Sequence, residues 1–115
     1  MSIKRHLPGK LLSKAVEHDS VVYLCGLVSE DLSLDVAGQT ANILKQMDSI
    51  LAAHATDKSK LLTATIWVTD IRMRDAMNVA WTAWMDPANP PARACIEAKM
   101  ADVRVLVEIM ATCAK

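Results

Sequence analysis

The pattern of apolar and polar positions divides the chain into segments with two different periods. Residues 35–54 and 71–85 have helical spacing; Ser33 or Asp35 can cap the first helix, and Pro87 ends the second. The remaining segments alternate or are short apolar runs, which is typical of strands. These predicted strands cover residues 3–6, 13–17, 21–25, 61–69, 92–99 and 103–113. The predicted order is β-β-β-α-β-α-β-β.

This order predicts an α+β fold, a mixed sheet with both helices on one face. In the last strand the odd positions from Val103 to Cys113 form an apolar face under the helices, and Leu106, Glu108 and Met110 point the other way. Trp67 also lies off the helix side, on the face opposite to that predicted for Leu62, Ala64, Ile66 and Val68. Two partly apolar faces with helices for only one predict a homo-oligomer in which sheets pack on sheets.

Length and charge narrow the class of protein. The 115 residues predict one domain over residues 1–115, and thirteen basic residues balance thirteen acidic ones. A net charge of zero argues against nucleic-acid and membrane partners. No apolar run is long enough to cross a bilayer, and no secretory signal is recognised. Cys25, Cys95 and Cys113 are odd in number and far apart, so we expect buried reduced thiols and a cytoplasmic protein.

Several kinds of site are not predicted. The three glycines form no phosphate-binding loop. His6, His18 and His54 lack the spacing of metal ligands, and each is expected to be a surface or capping residue. The spacing of these residues therefore predicts no metal site.

Arg93 is the first candidate site residue. The stiff sequence Pro90-Pro91 leads directly into the strand that carries it. An arginine fork fits a carboxylate through two parallel hydrogen bonds, and a rigid element pre-organises such recognition. The alternatives are a structural ion pair and a solvated strand end.

Glu108 is the second candidate, because a carboxylate between Leu106 and Met110 is costly to bury without a partner or a task. If strands 92–99 and 103–113 are antiparallel neighbours, Glu108 lies within reach of Arg93 or of the same arginine in a neighbouring subunit. Alternatively, Glu108 neutralises a basic residue at an interface. The pattern leaves both possibilities open.

At these positions the chain resembles a known family. Residues 91–97 (PARACIE) followed by 106–109 (LVEI) are similar to the signature of the RidA (YjgF) family of enamine/imine deaminases. Gly26, Gln39, residues 66–70 and Asn78 before Trp81 add to a resemblance that spans about residues 13–113. It implies a chorismate-mutase-like fold assembled as a homotrimer, with the sheets as an inner barrel and active sites in clefts between subunits.

The reaction implied by the resemblance is hydrolysis of 2-imino or enamine acids, such as 2-aminoacrylate, to 2-keto acids and ammonia. This is the chemistry of a metal-free 2-iminobutanoate/2-iminopropanoate deaminase, and it implies no metal or organic cofactor because an imine is already electrophilic. Arg93 would bind the substrate carboxylate, and Glu108 would hold or deprotonate the attacking water, or shuttle protons. The other implied substrate-binding residues are Cys25, Gly26, Asn78 and Cys95.

The chain departs from the family pattern at two places. Leu11-Leu12-Ser13 stands where many deaminating members have a tyrosine, and Cys25-Gly26-Leu27 replaces a common Ser-Gly-Gln. Both changes predict a more apolar pocket and a divergent subgroup. A non-catalytic module that binds small carboxylates such as keto acids is therefore a second hypothesis. An endoribonuclease or translation inhibitor is a third, disfavoured by the zero net charge and by only three tryptophans and one tyrosine.

Overall fold

Two α-helices pack on one face of a seven-stranded mixed sheet in this computed structural model, which describes residues 2–115. The helices are α1 (Val36–Ala53) and α2 (Arg74–Trp84). The strands are β1 (Lys4–His6), β2 (Ala15–His18), β3 (Val21–Leu24), β4 (Leu27–Val28), β5 (Leu61–Val68), β6 (Ala92–Glu97) and β7 (Val107–Ala114). The predicted order is confirmed, with the two-residue strand β4 added after Gly26.

The central part of the sheet is formed by β7, in the order β1-β2-β3-β7-β5-β6, with β4 also paired to β7. Only β5 and β6 are parallel, and α2 connects them as a crossover. The expectation that β6 and β7 are antiparallel neighbours is wrong, because β5 lies between them. A helical crossover allows β6 to pair in parallel with β5, which leaves the other edge of β5 for β7.

Local signals in the sequence explain several element ends. The turn between β2 and β3 has Asp19 and Ser20 at φ values of 51° and 64°, the left-handed pair that a two-residue hairpin requires. Asp35, rather than Ser33, caps α1 by accepting a hydrogen bond from the amide of Gly38 at 2.8 Å. The second predicted helix starts late, because Asp70 caps a 3₁₀ turn over Ile71–Met73 and α2 follows it.

The core lies between the helices and one face of the sheet. On the two helices its fully buried members recur at helical spacing, and on the sheet they occupy the alternate positions of β5 and β7. These residues are Ile43, Leu44, Met47, Leu51 and Met77 from the helices, and Ala64, Ile66, Val68, Val107, Ile109, Ala111 and Cys113 from the sheet. Leu62 is not among them, because a register shift between Leu61 and Thr63 leaves it 44% exposed.

The last strand starts later than the alternation predicted. Asp102 accepts hydrogen bonds from the backbone amide and guanidinium of Arg104, and this local turn leaves Val103 91% exposed. Leu106, expected on the far face, packs against the core instead. The buried carboxamide of Gln39 holds this segment: it accepts from the amide of Leu106 at 3.0 Å and donates to the carbonyl of Arg104 at 2.9 Å.

The opposite face of the sheet is covered by neither helix. Glu108, Met110 and Thr112 of β7 alternate with the buried positions and therefore point to this face, which we call the open face. Met110 is 44% exposed, and the register places Trp67 and Ile96 on the same side. Across residues 2–115, no helix is long and apolar enough to cross a membrane.

Candidate functional site

Arg93 lies on β6 in register with Ala64, on the face of the sheet that the helices cover. Its side chain is oriented by α2. The Nη1 group donates a hydrogen bond to Oδ1 of Asn78 at 2.7 Å, and the guanidinium carbon lies 5.3 Å from the ring centroid of Trp81. Because Asn78 and Trp81 are three residues apart, they lie on the same side of the helix. One helix turn therefore supplies both contacts.

The charge of Arg93 has no carboxylate partner within 4.0 Å among residues 2–115. Two other exposed arginines differ. Arg72 pairs with Asp70 at 2.6 Å and Arg104 pairs with Asp102 at 2.8 Å, and each arginine lowers the pKa of its aspartate to about 2. Within this part of the chain Arg93 is held by an amide and an aromatic ring, so the alternative of an intrachain ion pair is wrong.

Glu108 lies on the open face, between Val28 of β4 and Trp67 of β5. Its carboxylate rests on the backbone of Gly26. A Cβ atom added at position 26 would overlap Oε2 of Glu108 and lie 3.2 Å from its Cδ. The backbone at Gly26 therefore approaches the Glu108 carboxylate closely. No lysine or arginine among the described residues forms a salt bridge with Glu108.

Cys25 adjoins the Glu108 carboxylate. Burial raises the pKa of the Cys25 thiol above its ordinary value of 9.0, Lys14 opposes the rise, and the negative charge of Glu108 adds to it. The thiol therefore stays protonated at neutral pH, which does not favour it as a nucleophile.

The structure separates Arg93 from Glu108 within one chain. They lie on opposite faces of the sheet, on strands separated by β5. The expectation that Glu108 reaches Arg93 of the same chain is therefore wrong. The other possibility, that a neighbouring subunit supplies the arginine, stays a prediction.

The six residues selected from the sequence form two groups. Asn78 and Cys95 accompany Arg93; Cys95 lies two positions along β6 on the same face, half-buried against the core. We call these three residues the arginine cluster. Cys25 and Gly26 accompany Glu108, and we call them together the glutamate cluster. Trp81 was not selected as a site residue from the sequence. Its position three residues after Asn78 places both residues on one side of the predicted helix, and this spacing is the signal that could have identified it.

The remaining reactive side chains are placed elsewhere. Cys113 is fully buried, whereas Cys25 and Cys95 are only half-buried, so the expectation of three buried thiols holds for one of them. His54 caps the end of α1 as expected, but its side chain is only 9% exposed and its Nδ1 atom lies 3.0 Å from Oε1 of Glu17. Within residues 2–115, no group of three or more His, Cys, Asp and Glu side chains is arranged to hold a metal ion.

Known proteins are similar to this chain in sequence and in fold. The family model described as endoribonuclease L-PSP matches residues 4–115. A RutC family protein of Haemophilus influenzae is 39% identical over 116 residues, which cover 98% of this chain and all of the relative. The chloroplastic Reactive Intermediate Deaminase A of Arabidopsis thaliana is 27% identical over 103 residues, which cover 84% of this chain and 54% of that protein.

A solved structure extends the likeness to the whole fold. The crystal structure of a YjgF family member from Neisseria meningitidis superposes with a TM-score of 0.97 at 36% identity, covering 100% of this chain and 96% of that one. The architecture is accordingly the chorismate-mutase-like α+β fold that the sequence resemblance implied. The matched residues include both the arginine cluster and the glutamate cluster. This chain belongs to the RidA/YjgF family.

Proposed function

We propose that this protein hydrolyses reactive 2-imino and enamine acids, such as 2-aminoacrylate, to 2-keto acids and ammonia. The observation that carries the proposal is the state of Arg93: an exposed guanidinium held in place by Asn78 and Trp81, with no carboxylate bound to it in residues 2–115. A pre-oriented fork of this kind suits a small carboxylate. The 27% identity to a plant protein named for reactive-intermediate deamination supports the same direction.

The chemistry needs few groups because an imine carbon is already electrophilic. Arg93 binds the carboxylate of the substrate and fixes its orientation. Glu108 accepts a proton from a water molecule as the oxygen adds to the imine carbon, and the proton is returned to the nitrogen. The hydroxyl proton of the resulting carbinolamine then passes to the nitrogen through Glu108 as the C–N bond breaks, which releases ammonia and leaves the keto group. An enamine first becomes the imine by moving a proton from its nitrogen to its carbon. The residues Cys25, Gly26 and Cys95 line the reacting centre.

Two copies of the chain are needed for this reaction, because Arg93 and Glu108 lie on opposite faces of one sheet. We therefore place the site in a cleft where the arginine cluster of one subunit faces the glutamate cluster of another. The apolar open face, with Met110 and Trp67, supports sheet-on-sheet packing. The family resemblance implies a homotrimer, in which residues 1–115 act as one domain. We expect this assembly in the cytoplasm.

The experiment that tests the proposal follows keto-acid release from 2-imino acids generated by an amino-acid oxidase. Arg93→Ala should reduce kcat/KM by about 100-fold or more, because it removes charge-assisted hydrogen bonds to the carboxylate. Arg93→Lys keeps the charge but loses the planar fork, so an intermediate loss is expected.

The matched control is Arg72→Ala, which removes an exposed arginine that Asp70 already neutralises. It should turn over substrate like the parent. Light scattering must show the same oligomer for all variants. Parent-like turnover by Arg93→Ala in an intact oligomer would contradict the proposal.

Binding without turnover is the second candidate function. It is favoured by the N-terminal loop, where Leu11 is 96% exposed and Leu12 is also exposed, so these two positions bring no tyrosine hydroxyl to a cleft. The protein would then bind 2-keto acids through Arg93 without hydrolysing imines. Calorimetric binding of pyruvate by a well-folded oligomer that releases no keto acid from 2-imino acids would establish this function instead.

A further inference from the structure

Arg93 is held by a ring rather than by an anion, and this difference determines how many donors it can offer. A guanidinium has five N–H groups. Asn78 accepts from one of them, and the face of Trp81 takes none, because a cation–π contact engages the π system and not the hydrogens. A carboxylate partner would have occupied two donors and neutralised the charge, as Asp70 does for Arg72.

The ring of Trp81 is itself buried. It is 5% exposed and belongs to the buried core. It packs at 5.6 Å against Trp84, whose indole Nε1 donates to both carboxylate oxygens of Asp48 on α1 at 3.0 Å. Lys58 covers Trp84 at 5.3 Å from the ring centroid. The plane of Arg93 is therefore connected to both helices through two aromatic rings.

We propose that Trp81 is a positioning residue for Arg93: its indole face holds the guanidinium in the carboxylate-binding orientation without neutralising it. This inference rests on the proposed function for its kinetic readout. Trp81 does not touch substrate in this proposal and acts only through the arginine. Its removal should weaken carboxylate binding more than it slows the chemical step, because Glu108 is unaffected.

Two variants of Trp81 distinguish the effect of its aromatic face on Arg93 from its effect on core packing. Trp81→Phe keeps an aromatic face, and Trp81→Leu keeps an apolar side chain without one. We expect Trp81→Leu to raise KM for the 2-imino acid about 10-fold with kcat changed less than 3-fold, and Trp81→Phe to recover most of the loss. The matched control is Met77→Ala, a buried change on the same helix that keeps the side chains of both Asn78 and Trp81 and should leave KM unaltered.

A double-mutant comparison makes the inference independent of overall stability. In an Arg93→Ala background, Trp81→Leu should cause no further loss of kcat/KM, because the positioned group is already absent. The near-ultraviolet circular dichroism of the tryptophans should also change on Arg93→Ala without any substrate. Additive losses, or equal KM effects of Trp81→Leu and Met77→Ala, would overturn the inference.

Failure of the proposed function would look different. If the parent protein releases no keto acid, the deaminase proposal fails, and the same variants are compared by calorimetric binding of pyruvate. A Kd raised about 10-fold by Trp81→Leu and restored by Trp81→Phe then still supports the positioning role. Equal changes of the Kd for pyruvate in Trp81→Leu, Trp81→Phe and Met77→Ala would contradict the positioning role. So would the absence of pyruvate binding together with a near-ultraviolet circular dichroism that Arg93→Ala leaves unchanged.

Discussion

The carboxylate of Glu108 occupies the space in which a side chain at Gly26 would begin. A Cβ atom there would overlap Oε2, and the next nearest atoms are Cδ and Cγ of the same glutamate. Gly26 does not have a positive φ, so its backbone does not require glycine. Glycine is needed at this position because a side chain would collide with the Glu108 carboxylate. A substitution at Gly26 therefore tests whether the function depends on the position of that carboxylate.

Gly26→Ala should displace the Glu108 carboxylate with little effect on the stability of the protein. The backbone accepts alanine, and the atoms that must move are the flexible end of Glu108, so we expect the thermal midpoint to stay within a few degrees of the parent. Turnover of 2-imino acids should fall by about 100-fold, the typical contribution of a positioned general base. Differential scanning calorimetry and keto-acid release measure the two effects. A variant that is fully active would show that the carboxylate has no fixed role.

Asn78→Asp should reduce binding by neutralising Arg93. The new carboxylate would stand where Oδ1 of Asn78 accepts the hydrogen bond at 2.7 Å, and it would compete with the substrate for the same guanidinium. We expect KM for the 2-imino acid to rise about 10-fold or more, with little loss of stability. Asn78→Ala is the companion variant, because it removes the hydrogen bond without adding charge and should have a smaller effect. Equal KM values for the two variants would show that charge at this position is unimportant.

The sequence predicted the helices and the central strands because their period is set by residues that the fold buries. Within the predicted helix 35–54, Val36, Ile43, Met47, Ile50 and Leu51 recur at helical spacing, and all five are buried. Alternation in β7 likewise predicted the faces of Ile109 and Glu108 correctly. These features depend on local spacing, which a single sequence contains.

Strand pairing could not be predicted in the same way. The alternation of apolar and polar residues indicates which side chains share a face of one strand, but it does not indicate which strand pairs with it. The order β7-β5-β6 depends on a crossover through α2, and it separates Arg93 from Glu108. The exposed positions of Leu62 and Val103 also arise from local irregularities, a register shift and an aspartate turn, that do not interrupt the apolar pattern.

Glu17 should make stability depend on acid pH. The hydrogen bond with His54, supported by Lys115, lowers the pKa of Glu17 below its ordinary value of 4.5, although partial burial opposes the shift. Because the pKa of Glu17 is lower in the folded state, the ionised carboxylate stabilises the protein above pH 4.5. This contribution is lost as the pH falls from 4.5 through the folded-state pKa. Urea unfolding should therefore show Glu17→Gln less stable than the parent at pH ~7, with a gap that narrows toward pH ~3.

Asp70 and Asp102, whose pKa values are lowered to about 2, also make stability depend on acid pH, but they are present in both proteins and cancel in the comparison. A gap that stays constant between the two pH values would mean that the ionised form of Glu17 does not contribute.

Met110→Lys should test whether the open face is an interface between copies. Met110 is 44% exposed in one chain and lies on the same side of the sheet as Trp67. A lysine there would have to be desolvated in a sheet-on-sheet contact, whereas the single chain can leave it in water. We therefore expect the association constant to fall by several-fold at least. We expect light scattering to show smaller particles, with secondary structure retained in circular dichroism.

The control for that variant is Val79→Lys, which adds the same charge at an exposed position on α2. It should leave the assembly unchanged. Because the proposed cleft needs the arginine cluster of one chain and the glutamate cluster of another, dissociated Met110→Lys should also lose turnover in proportion to its loss of oligomer. An unchanged particle mass would place the interface elsewhere, and full activity of a monomer would mean that one chain suffices for the reaction.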